Sequence, residues 1–193
     1  MSYYLCRLLF HFLFKALFRF EFTGRENIPK KGGFILASNH MSFLDPVALG
    51  IASSRRLSFM ARHDLFDNNF SSLILSSWGV LPVKRGFGDI SALKEAINLL
   101  KGGNALALFP EGRRIIKGEN VDPEPGIGFL VSKLDVPVIP AFIKGTDKAL
   151  PRGARFIRLA KVSVHFGKKI SIERRMPYND IACRIMQDIR HLS

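Results

Sequence analysis

The sequence has few cysteines and few acidic residues. Its two cysteines, Cys6 and Cys183, lie far apart, and neither belongs to a Cys-x-x-Cys pair. This spacing argues against a disulfide framework or a cysteine-based metal site and favours a reducing, cytosol-facing location. The 16 acidic residues are outnumbered by 29 lysines and arginines, so the formal net charge is +13. Such a charge predicts an anionic partner, which would be a membrane surface, a nucleic acid, or an acidic protein or substrate.

The N-terminal segment also lacks a long apolar run without charge. Residues 3–20 are rich in leucine and phenylalanine, but a basic residue or histidine recurs at Arg7, His11, Lys15 and Arg19. A transmembrane helix needs about 20 mainly apolar residues, and a central Arg or Lys costs about 2.5–3.5 kcal/mol. A signal peptide would show an unbroken apolar region and a small-residue cleavage site, and neither is present.

We therefore interpret residues 1–19 as an amphipathic helix that lies in the membrane interface, with basic groups at the lipid headgroups. Two alternatives remain at this stage. One is a core helix of a soluble domain, and the other is a single spanning helix whose basic side chains snorkel to the interface.

The remaining chain, residues 20–193, alternates short apolar strands with helical segments and is long enough for one domain. The predicted strands cover 20–22, 34–37, 57–61, 80–83, 105–109, 136–143 and 162–166. The predicted helices cover 46–53, 73–78, 89–101, 126–134 and 178–191. The alternation predicts an α/β fold, with a mixed, mostly parallel sheet flanked by helices. Prolines in the strand at 136–143 predict that it lies at a sheet edge or that they mark its start.

The most informative stretch is the polar cluster that follows the apolar run Phe34–Ala37 and contains His40 and Asp45. Pro46 suits the first turn of a helix because it lacks an N–H, and Asp45 before it is a predicted N-cap. His40 is then expected in a tight strand-to-helix turn with Asp45 folded back toward it. This is where α/β folds present their chemistry.

A histidine and a carboxylate in such a turn could act as a base and its orienting group. A neutral imidazole can take a proton from an alcohol, and a carboxylate on its other nitrogen fixes the tautomer. The chain has no Gly-x-Ser-x-Gly nucleophile elbow. We therefore interpret His40 as activating a hydroxyl of the substrate. The structural alternative is a capping aspartate beside a core histidine.

A second cluster, with the adjacent arginines Arg113 and Arg114, follows the predicted strand at 105–109. Guanidinium groups bind phosphate in bidentate geometry, so the pair indicates an anion site. Glu111 is interpreted as holding one of the two arginines, and Arg85 as converging on the same place. The alternatives are a solvated turn and an ordinary surface charge.

Four segments resemble, in order and at about the same spacing, the motifs of glycerolipid acyltransferases of the 1-acyl-glycerol-3-phosphate acyltransferase type. Asn39-His40-Met-Ser-Phe-Leu-Asp45 resembles the Asn-His-x4-Asp box, and Gly79-Val-Leu-Pro-Val-Lys-Arg85 resembles the Gly-x-x-Pro-Val-x-Arg box. Phe109-Pro-Glu-Gly-Arg-Arg114 is similar to Phe-Pro-Glu-Gly-Thr-Arg, and Val136-Pro-Val-Ile-Pro140 to Val-Pro-Val-x-Pro. The resemblance implies an α/β catalytic domain over residues 20–193, preceded by a membrane-binding element.

The resemblance also implies a reaction. A fatty acyl group would pass from acyl-CoA or acyl-acyl-carrier-protein to the free hydroxyl of 1-acyl-glycerol-3-phosphate, giving phosphatidic acid in phospholipid synthesis. His40 would be the general base and Asp45 its orienting carboxylate, with no acyl-enzyme. The acceptor phosphate would be held or shaped by Arg85, Glu111, Gly112 and either Arg113 or Arg114. The acyl or donor site would be lined by Val136, Pro137, Val138 and Pro140.

The implied partners are a lysophospholipid, an acyl thioester donor and an anionic membrane surface at the cytoplasmic face. No metal and no cofactor beyond the donor is expected. Two alternatives are another lysophospholipid or lipid-like amine as acceptor, and a non-catalytic basic membrane-binding protein. Nucleic-acid binding is not expected, because the sequence has no RNA-recognition, zinc-finger or helix-turn-helix signature.

Overall fold

A computed structural model describes residues 3–62, 78–83, 90–116, 118–173 and 175–193. Its strands are β1 (Glu21–Thr23), β2 (Phe34–Ser38), β3 (Leu57–Arg62), β4 (Val80–Val83), β5 (Ala105–Leu108), β6 (Val138–Lys144) and β7 (Ser163–Phe166). Its helices are α1 (Tyr3–Phe18), α2 (Asp45–Ala52), α3 (Ile90–Lys101), α4 (Gly126–Lys133), α5 (Thr146–Ala149) and α6 (Tyr178–Arg190). A short 3₁₀ helix covers Arg25–Asn27. The predicted helix at 73–78, apart from Trp78, lies outside the described residues, and so does Arg85.

The strands form one sheet in the order β1-β7-β6-β2-β5-β3-β4. All neighbouring pairs are parallel except β6 with β7. The central strand β2 is buried along its whole length, which explains its unbroken apolar sequence, since a parallel strand is covered on both faces. The mostly parallel α/β fold is therefore confirmed. The carboxyl ends of β2, β3, β4, β5 and β6 meet at one side of the sheet, called here the carboxyl edge.

The prediction of an edge position for the strand at 136–143 is wrong, because β6 lies between β2 and β7. Pro137 precedes the strand, but Pro140 lies inside it. The carbonyl of Pro140 accepts the N–H of Gly167 at 2.8 Å. The N–H and the carbonyl of one strand residue point to the same side, so the N–H that Pro140 lacks would point toward β7. Strand β7 pairs with β6 only from Ala141 onward. The proline is tolerated because no donor is needed there.

Two apolar cores lie on opposite faces of the sheet. On one face, α1 and α2 pack through residues such as Phe18 and Leu49. On the other face, α4 and α6 pack through residues such as Ile127 and Ile185. A Cβ on Gly128 would lie 2.0 Å from the carbonyl oxygen of Tyr178, so glycine is needed for the close approach of α4 to α6.

One side of helix α1 is buried against the core, and the other side is exposed. Its buried residues are Tyr3, Cys6, Phe14 and Phe18. Its exposed large apolar residues are Tyr4, Leu5, Leu8, Leu9, Phe12, Leu13 and Leu17. The alternative that α1 is a core helix of a soluble domain therefore fits only its buried side. Within the described ranges, none of the helices has both the length and the apolar character required to cross a bilayer.

Arg7 is half-buried, and its guanidinium contacts the end of α2. Its Nη2 donates to the carbonyl of Ile51 at 3.2 Å and also to the carbonyl of Ser53. These are free carbonyls at the end of α2, and a cation is favourable at a helix C-terminus. Arg7 thus ties α1 to α2, and its predicted place at the lipid headgroups stays a prediction.

Candidate active site

The turn between β2 and α2 is built around the Asp45 carboxylate. Its Oδ2 accepts hydrogen bonds from the N–H groups of Met41 at 2.6 Å and Ser42 at 2.8 Å. It also lies 2.9 Å from Nδ1 of His40. Asp45 is fully buried, and its Oδ1 has no partner among the described residues. The N-cap prediction for Asp45 is wrong by one residue: Leu44 is the N-cap, and the Asp45 side chain points back into the turn.

His40 is held in one orientation by groups on two sides. When Nδ1–H of His40 donates to Asp45, the lone pair on Nε2 is free to accept a proton. The Phe109 ring stacks on the imidazole, with ring centroids 4.0 Å apart and planes inclined by 16°. The His40 side chain is 17% exposed, so a substrate can still reach it. The predicted strand-to-helix turn with Asp45 folded back is present.

Asn39 fastens the catalytic turn to the neighbouring strand β6. Its Oδ1 accepts the N–H of Ile143 at 2.7 Å, and its Nδ2 donates to the carbonyl of Ile143 at 2.9 Å. Both groups are buried, so the pair of bonds fixes the end of β2 against the end of β6. Sequence reasoning gave Asn39 no role of its own, although its place before His40 in the first motif was a signal.

Glu111 faces the back of the catalytic turn. Its Oε1 accepts the N–H of His40 at 3.4 Å, and its Oε2 is buried without a partner among the described residues. Burial raises the pKa of Glu111 to about 7, and the nearby Asp45 charge adds to the rise. The interpretation that Glu111 holds Arg113 or Arg114 is wrong, because within the described chain its carboxylate bonds to neither.

The loop after β5 separates the two adjacent arginines. Gly112 has φ +65°, and a Cβ there would lie 2.7 Å from Cγ of Glu124, so the turn requires glycine. Arg113 points outward and forms an ion pair with Glu119, which raises the pKa of Arg113.

Arg114 lies on the catalytic side of this loop. Its guanidinium covers the Phe43 ring of the catalytic turn at 3.5 Å from the ring centroid. Burial, followed by the charge of Arg152, lowers the pKa of Arg114. The next residue, Ile115, donates its N–H to the His40 carbonyl at 2.8 Å. Arg114 is paired with no carboxylate in the part of the chain that the structure describes. Of the two arginines, the structure brings Arg114 to the catalytic turn.

Arg85 lies outside the described residues, so its predicted place beside His40 is not tested. The predicted donor-site residues are not brought to His40. Val136 and Pro137 precede β6, whereas Val138 and Pro140 are buried within it. Pro140 is in register with Ala37, about 10 Å along the strand before His40. The donor-site role of this segment stays a prediction, since its contacts are with the sheet core.

The described residues contain no group of three or more histidine, cysteine, aspartate or glutamate side chains that could hold a metal ion. What the site does offer is an oriented imidazole, a buried carboxylate behind it and a cation beside it. This combination can remove a proton from a hydroxyl group of a molecule that also carries an anionic group.

The chain matches the family model described as Acyltransferase over residues 19–144. A 1-acyl-sn-glycerol-3-phosphate acyltransferase of Bacillus subtilis (strain 168) is 27% identical over 147 residues, which cover 76% of this chain and 71% of that protein. The chloroplastic 1-acyl-sn-glycerol-3-phosphate acyltransferase LPAT1 of Arabidopsis thaliana is 30% identical over 143 residues, covering 72% of this chain and 40% of that protein.

A solved structure shares the fold. The 1-acyl-sn-glycerophosphate (LPA) acyltransferase PlsC from Thermotoga maritima matches with a TM-score of 0.82 and 22% identity, covering 98% of this chain and 79% of that chain. The matched family region runs from just before β1 to the end of β6, and it contains the catalytic turn and the loop after β5. The chain therefore belongs to the Acyltransferase family.

Proposed function

We propose that this protein transfers a fatty acyl group from a thioester donor to the free hydroxyl of 1-acyl-glycerol-3-phosphate, giving phosphatidic acid in phospholipid synthesis. The observation that carries this proposal is the 2.9 Å contact of His40 Nδ1 with Asp45 Oδ2, which leaves Nε2 as an accessible base. The names of the relatives in Bacillus subtilis and Arabidopsis thaliana support the choice of acceptor.

The geometry suits direct transfer. The acceptor hydroxyl gives its proton to Nε2 of His40 while its oxygen attacks the thioester carbonyl carbon. The tetrahedral intermediate then collapses, the carbon–sulfur bond breaks, and the leaving thiolate recovers the proton from the imidazolium. Asp45 stabilises the transient imidazolium and keeps the ring oriented. A protein nucleophile and a cofactor other than the donor are not required for this step.

The position of Arg114 beside the catalytic turn supports a phosphate on the acceptor. A guanidinium without a carboxylate partner can bind a phosphate through charge-assisted hydrogen bonds. Arg113 is occupied by Glu119, so we assign the phosphate contact to Arg114. Arg85 remains a proposed second contact, and Gly112 is proposed to shape the loop that carries Arg114.

A turnover assay tests the reaction. The purified protein is supplied with lysophosphatidic acid and either acyl-CoA or acyl-acyl-carrier-protein, and phosphatidic acid is measured. We expect product with at least one donor and a loss of about 10³-fold or more in kcat for His40→Ala.

The exposed residue His191, far along the chain in the last turn after α6, provides the matched control. His191→Ala should keep the wild-type turnover. Full activity in His40→Ala would refute the base assignment. No product from the wild-type protein with any donor or acceptor would instead favour a non-catalytic membrane-binding role. Product only with a different lysophospholipid would keep the chemistry and change the acceptor.

We also propose that the protein binds the cytoplasmic face of an anionic membrane through α1. The exposed side of α1 presents seven large apolar side chains with the exposed Lys15 beside them, a composition that suits the headgroup and acyl boundary. The acceptor is a membrane lipid, so this placement would concentrate the enzyme at its substrate.

Substitution of exposed residues tests the α1 proposal better than deletion, because deletion would open the core around Phe14 and Phe18. Leu9→Gln with Phe12→Gln should weaken binding to phosphatidylglycerol-containing vesicles by about tenfold or more, because apolar area no longer enters the bilayer. Ile90→Gln, an equally exposed apolar residue on α3, is the control. Unchanged vesicle binding in the α1 variant would rule against the interface helix.

A further inference from the structure

The segment 151–161, between α5 and β7, exposes apolar and basic side chains in alternation. Phe156 is 81% exposed and Leu159 is 78% exposed, and Ile157 between them is also exposed. The same segment contains Arg152, Arg155, Arg158 and Lys161 and has no acidic residue. Large apolar side chains with this exposure, close together and with only cations among the charged residues of their segment, mark a surface that meets another phase or molecule.

Both ends of segment 151–161 are fastened to elements already described. At the first end, the Ser42 hydroxyl of the catalytic turn donates to the carbonyl of Leu150 at 2.8 Å. At the other end, Val162 donates its N–H to the carbonyl of Phe18, the last residue of α1, at 2.9 Å. Within the segment, the N–H of Arg158 is held by the carbonyl of Ala149 at 2.8 Å. The segment therefore connects the catalytic turn to the end of α1.

The exposed apolar surface continues on both sides of this segment. Leu17, in the last turn of α1, is exposed on one side, and Phe43 of the catalytic turn is 58% exposed on the other. Lys161 forms a 2.8 Å ion pair with Glu21, the first residue of β1. The segment itself contains no carboxylate that could pair with its three arginines. The surface from Leu17 through segment 151–161 to Phe43 is thus apolar and cationic.

We propose that segment 151–161 is a second membrane contact, which inserts Phe156, Ile157 and Leu159 at the headgroup boundary while its arginines bind anionic lipid headgroups. The proposal rests on the proposed action on a membrane lipid, and it adds an orientation. With α1 and segment 151–161 both on the bilayer, the catalytic turn between Phe43 and Leu150 opens toward the membrane. The acceptor can then reach His40 without leaving the lipid phase.

A bilayer fits this surface better than an acidic protein. An acidic carrier would be attracted by the arginines, but it would leave three large apolar side chains to be covered. A bilayer with anionic headgroups satisfies both features at once. The surface also continues into the exposed apolar side of α1, so both would meet the same plane.

Two variants test the contact by sedimentation with vesicles of phosphatidylcholine and phosphatidylglycerol. Arg155→Gln with Arg158→Gln should weaken binding by about fivefold for each charge, or about 25-fold together. Phe156→Ser with Leu159→Ser should weaken it by about tenfold or more. The matched controls are Lys168→Gln with Lys169→Gln, exposed after β7, and Ile90→Ser on the opposite face of the sheet. Both controls should change binding by less than about threefold.

A fluorescence variant gives a direct readout of insertion. Phe156→Trp should shift its emission to the blue on addition of the same vesicles, and lipids brominated in the acyl chain should quench it. Trp78, the single native tryptophan, is buried and provides the background signal. Tryptophan emission of Phe156→Trp that does not change with vesicles would overturn the proposal.

A turnover experiment separates this inference from the proposed reaction. Phe156→Ser with Leu159→Ser should keep the wild-type kcat with a short-chain, monomerically soluble lysophosphatidic acid, but lose turnover on vesicle-embedded acceptor. Normal vesicle binding in both segment variants would overturn the inference even if the enzyme is active. Normal vesicle binding with lost turnover on carrier-protein donor alone would also overturn it, and would assign the segment to the carrier. An inactive wild-type protein whose segment variants still lose vesicle binding would refute the reaction and keep the membrane contact.

Discussion

The two turns that follow β2 and β5 lie side by side at the carboxyl edge, yet they are built differently. In the turn after β2, Asn39, Ser42 and Asp45 are buried, and each makes hydrogen bonds that fix the backbone. In the loop after β5, Arg113 is half exposed and Arg114 rests on an aromatic ring. The first turn is rigid and holds a base, whereas the second presents cations to an incoming anion.

The two turns should therefore control different kinetic constants. A base whose ring is fixed by Asp45 and Phe109 acts on the reacting proton, so its loss should lower kcat. A cation that contacts a remote phosphate binds substrate and transition state alike, so its loss should raise KM. Substitutions at Asp45 and Arg114 test this division, and Glu111→Gln tests the carboxyl group that lies behind the base.

Asp45→Asn should lower kcat by about 10³-fold with little change in KM. The amide oxygen can still accept the three N–H groups in the place of Oδ2, but it carries no negative charge to stabilise the imidazolium that forms on His40. Steady-state kinetics with lysophosphatidic acid measure this. Asp188→Asn, which affects only an exposed ion pair with Arg184, is the control. A loss below tenfold would mean that Asp45 serves the fold and not the base.

Glu111→Gln should make the protein more stable at neutral and alkaline pH. The pKa of Glu111 is raised by burial from 4.5 to about 7. Between these values the folded protein keeps a proton that the unfolded chain has released. The stability associated with this carboxyl is therefore complete below about pH 4.5 and is lost as the pH rises through about 7.

The amide stays neutral and can still accept the His40 N–H. We therefore expect Glu111→Gln to exceed wild type by about 2 to 3 kcal/mol in free energy of unfolding at about pH 8. The two proteins should converge at about pH 4.5. Urea unfolding at both pH values measures the difference. Parallel stability curves over this range would show that Glu111 titrates normally.

Arg114→Ala should raise KM for lysophosphatidic acid by about 10-fold to 100-fold, since a charge-assisted hydrogen bond contributes about 1.5–3 kcal/mol. The adjacent Arg113→Ala is the matched control and should change KM by less than about threefold, because Glu119 already pairs with Arg113. A monoacylglycerol without phosphate should be used equally by wild type and Arg114→Ala. The reverse ranking of the two arginines would move the phosphate contact to Arg113.

The terminal helices α1 and α6 also differ in what they present to their surroundings. The helix α6 buries Ile181, Ile185 and Ile189 and turns charged residues such as Arg184 and Asp188 to solvent. The helix α1 buries one side but leaves leucine and phenylalanine on the other. The outer side of α6 is therefore charged, whereas the outer side of α1 is apolar, and the vesicle experiments address this apolar surface.

Much of the fold was predictable because its strands and helices carry strong local signals. The unbroken apolar run of β2 and the alternation of strands with helices predicted a mostly parallel sheet, and this was confirmed. The edge position predicted for β6 was wrong, because the tolerance of Pro140 depends on where β7 stops pairing. The four-residue helix α5 was missed, since it is too short to show periodicity.

The candidate site was predictable in part for the same reason. His40 and Asp45 are five positions apart on one turn, so their contact follows from local geometry. Glu111 was assigned to an arginine because it is next to arginines in sequence. In the structure it meets the His40 amide instead, which depends on β5 lying beside β2. Arg85 lies outside the described residues, and its proposed role remains a prediction.

Most of the described helices and strands, the His40–Asp45 turn and the family could be predicted from sequence, because these depend on neighbouring residues and on motif order. Tertiary contacts set which arginine approaches the base, what lies behind His40, and which side of α1 remains exposed. The folded structure also shows that segment 151–161 lies between the end of α1 and the catalytic turn. These contacts join residues far apart in the chain, and they exist only once the order of strands in the sheet has been set.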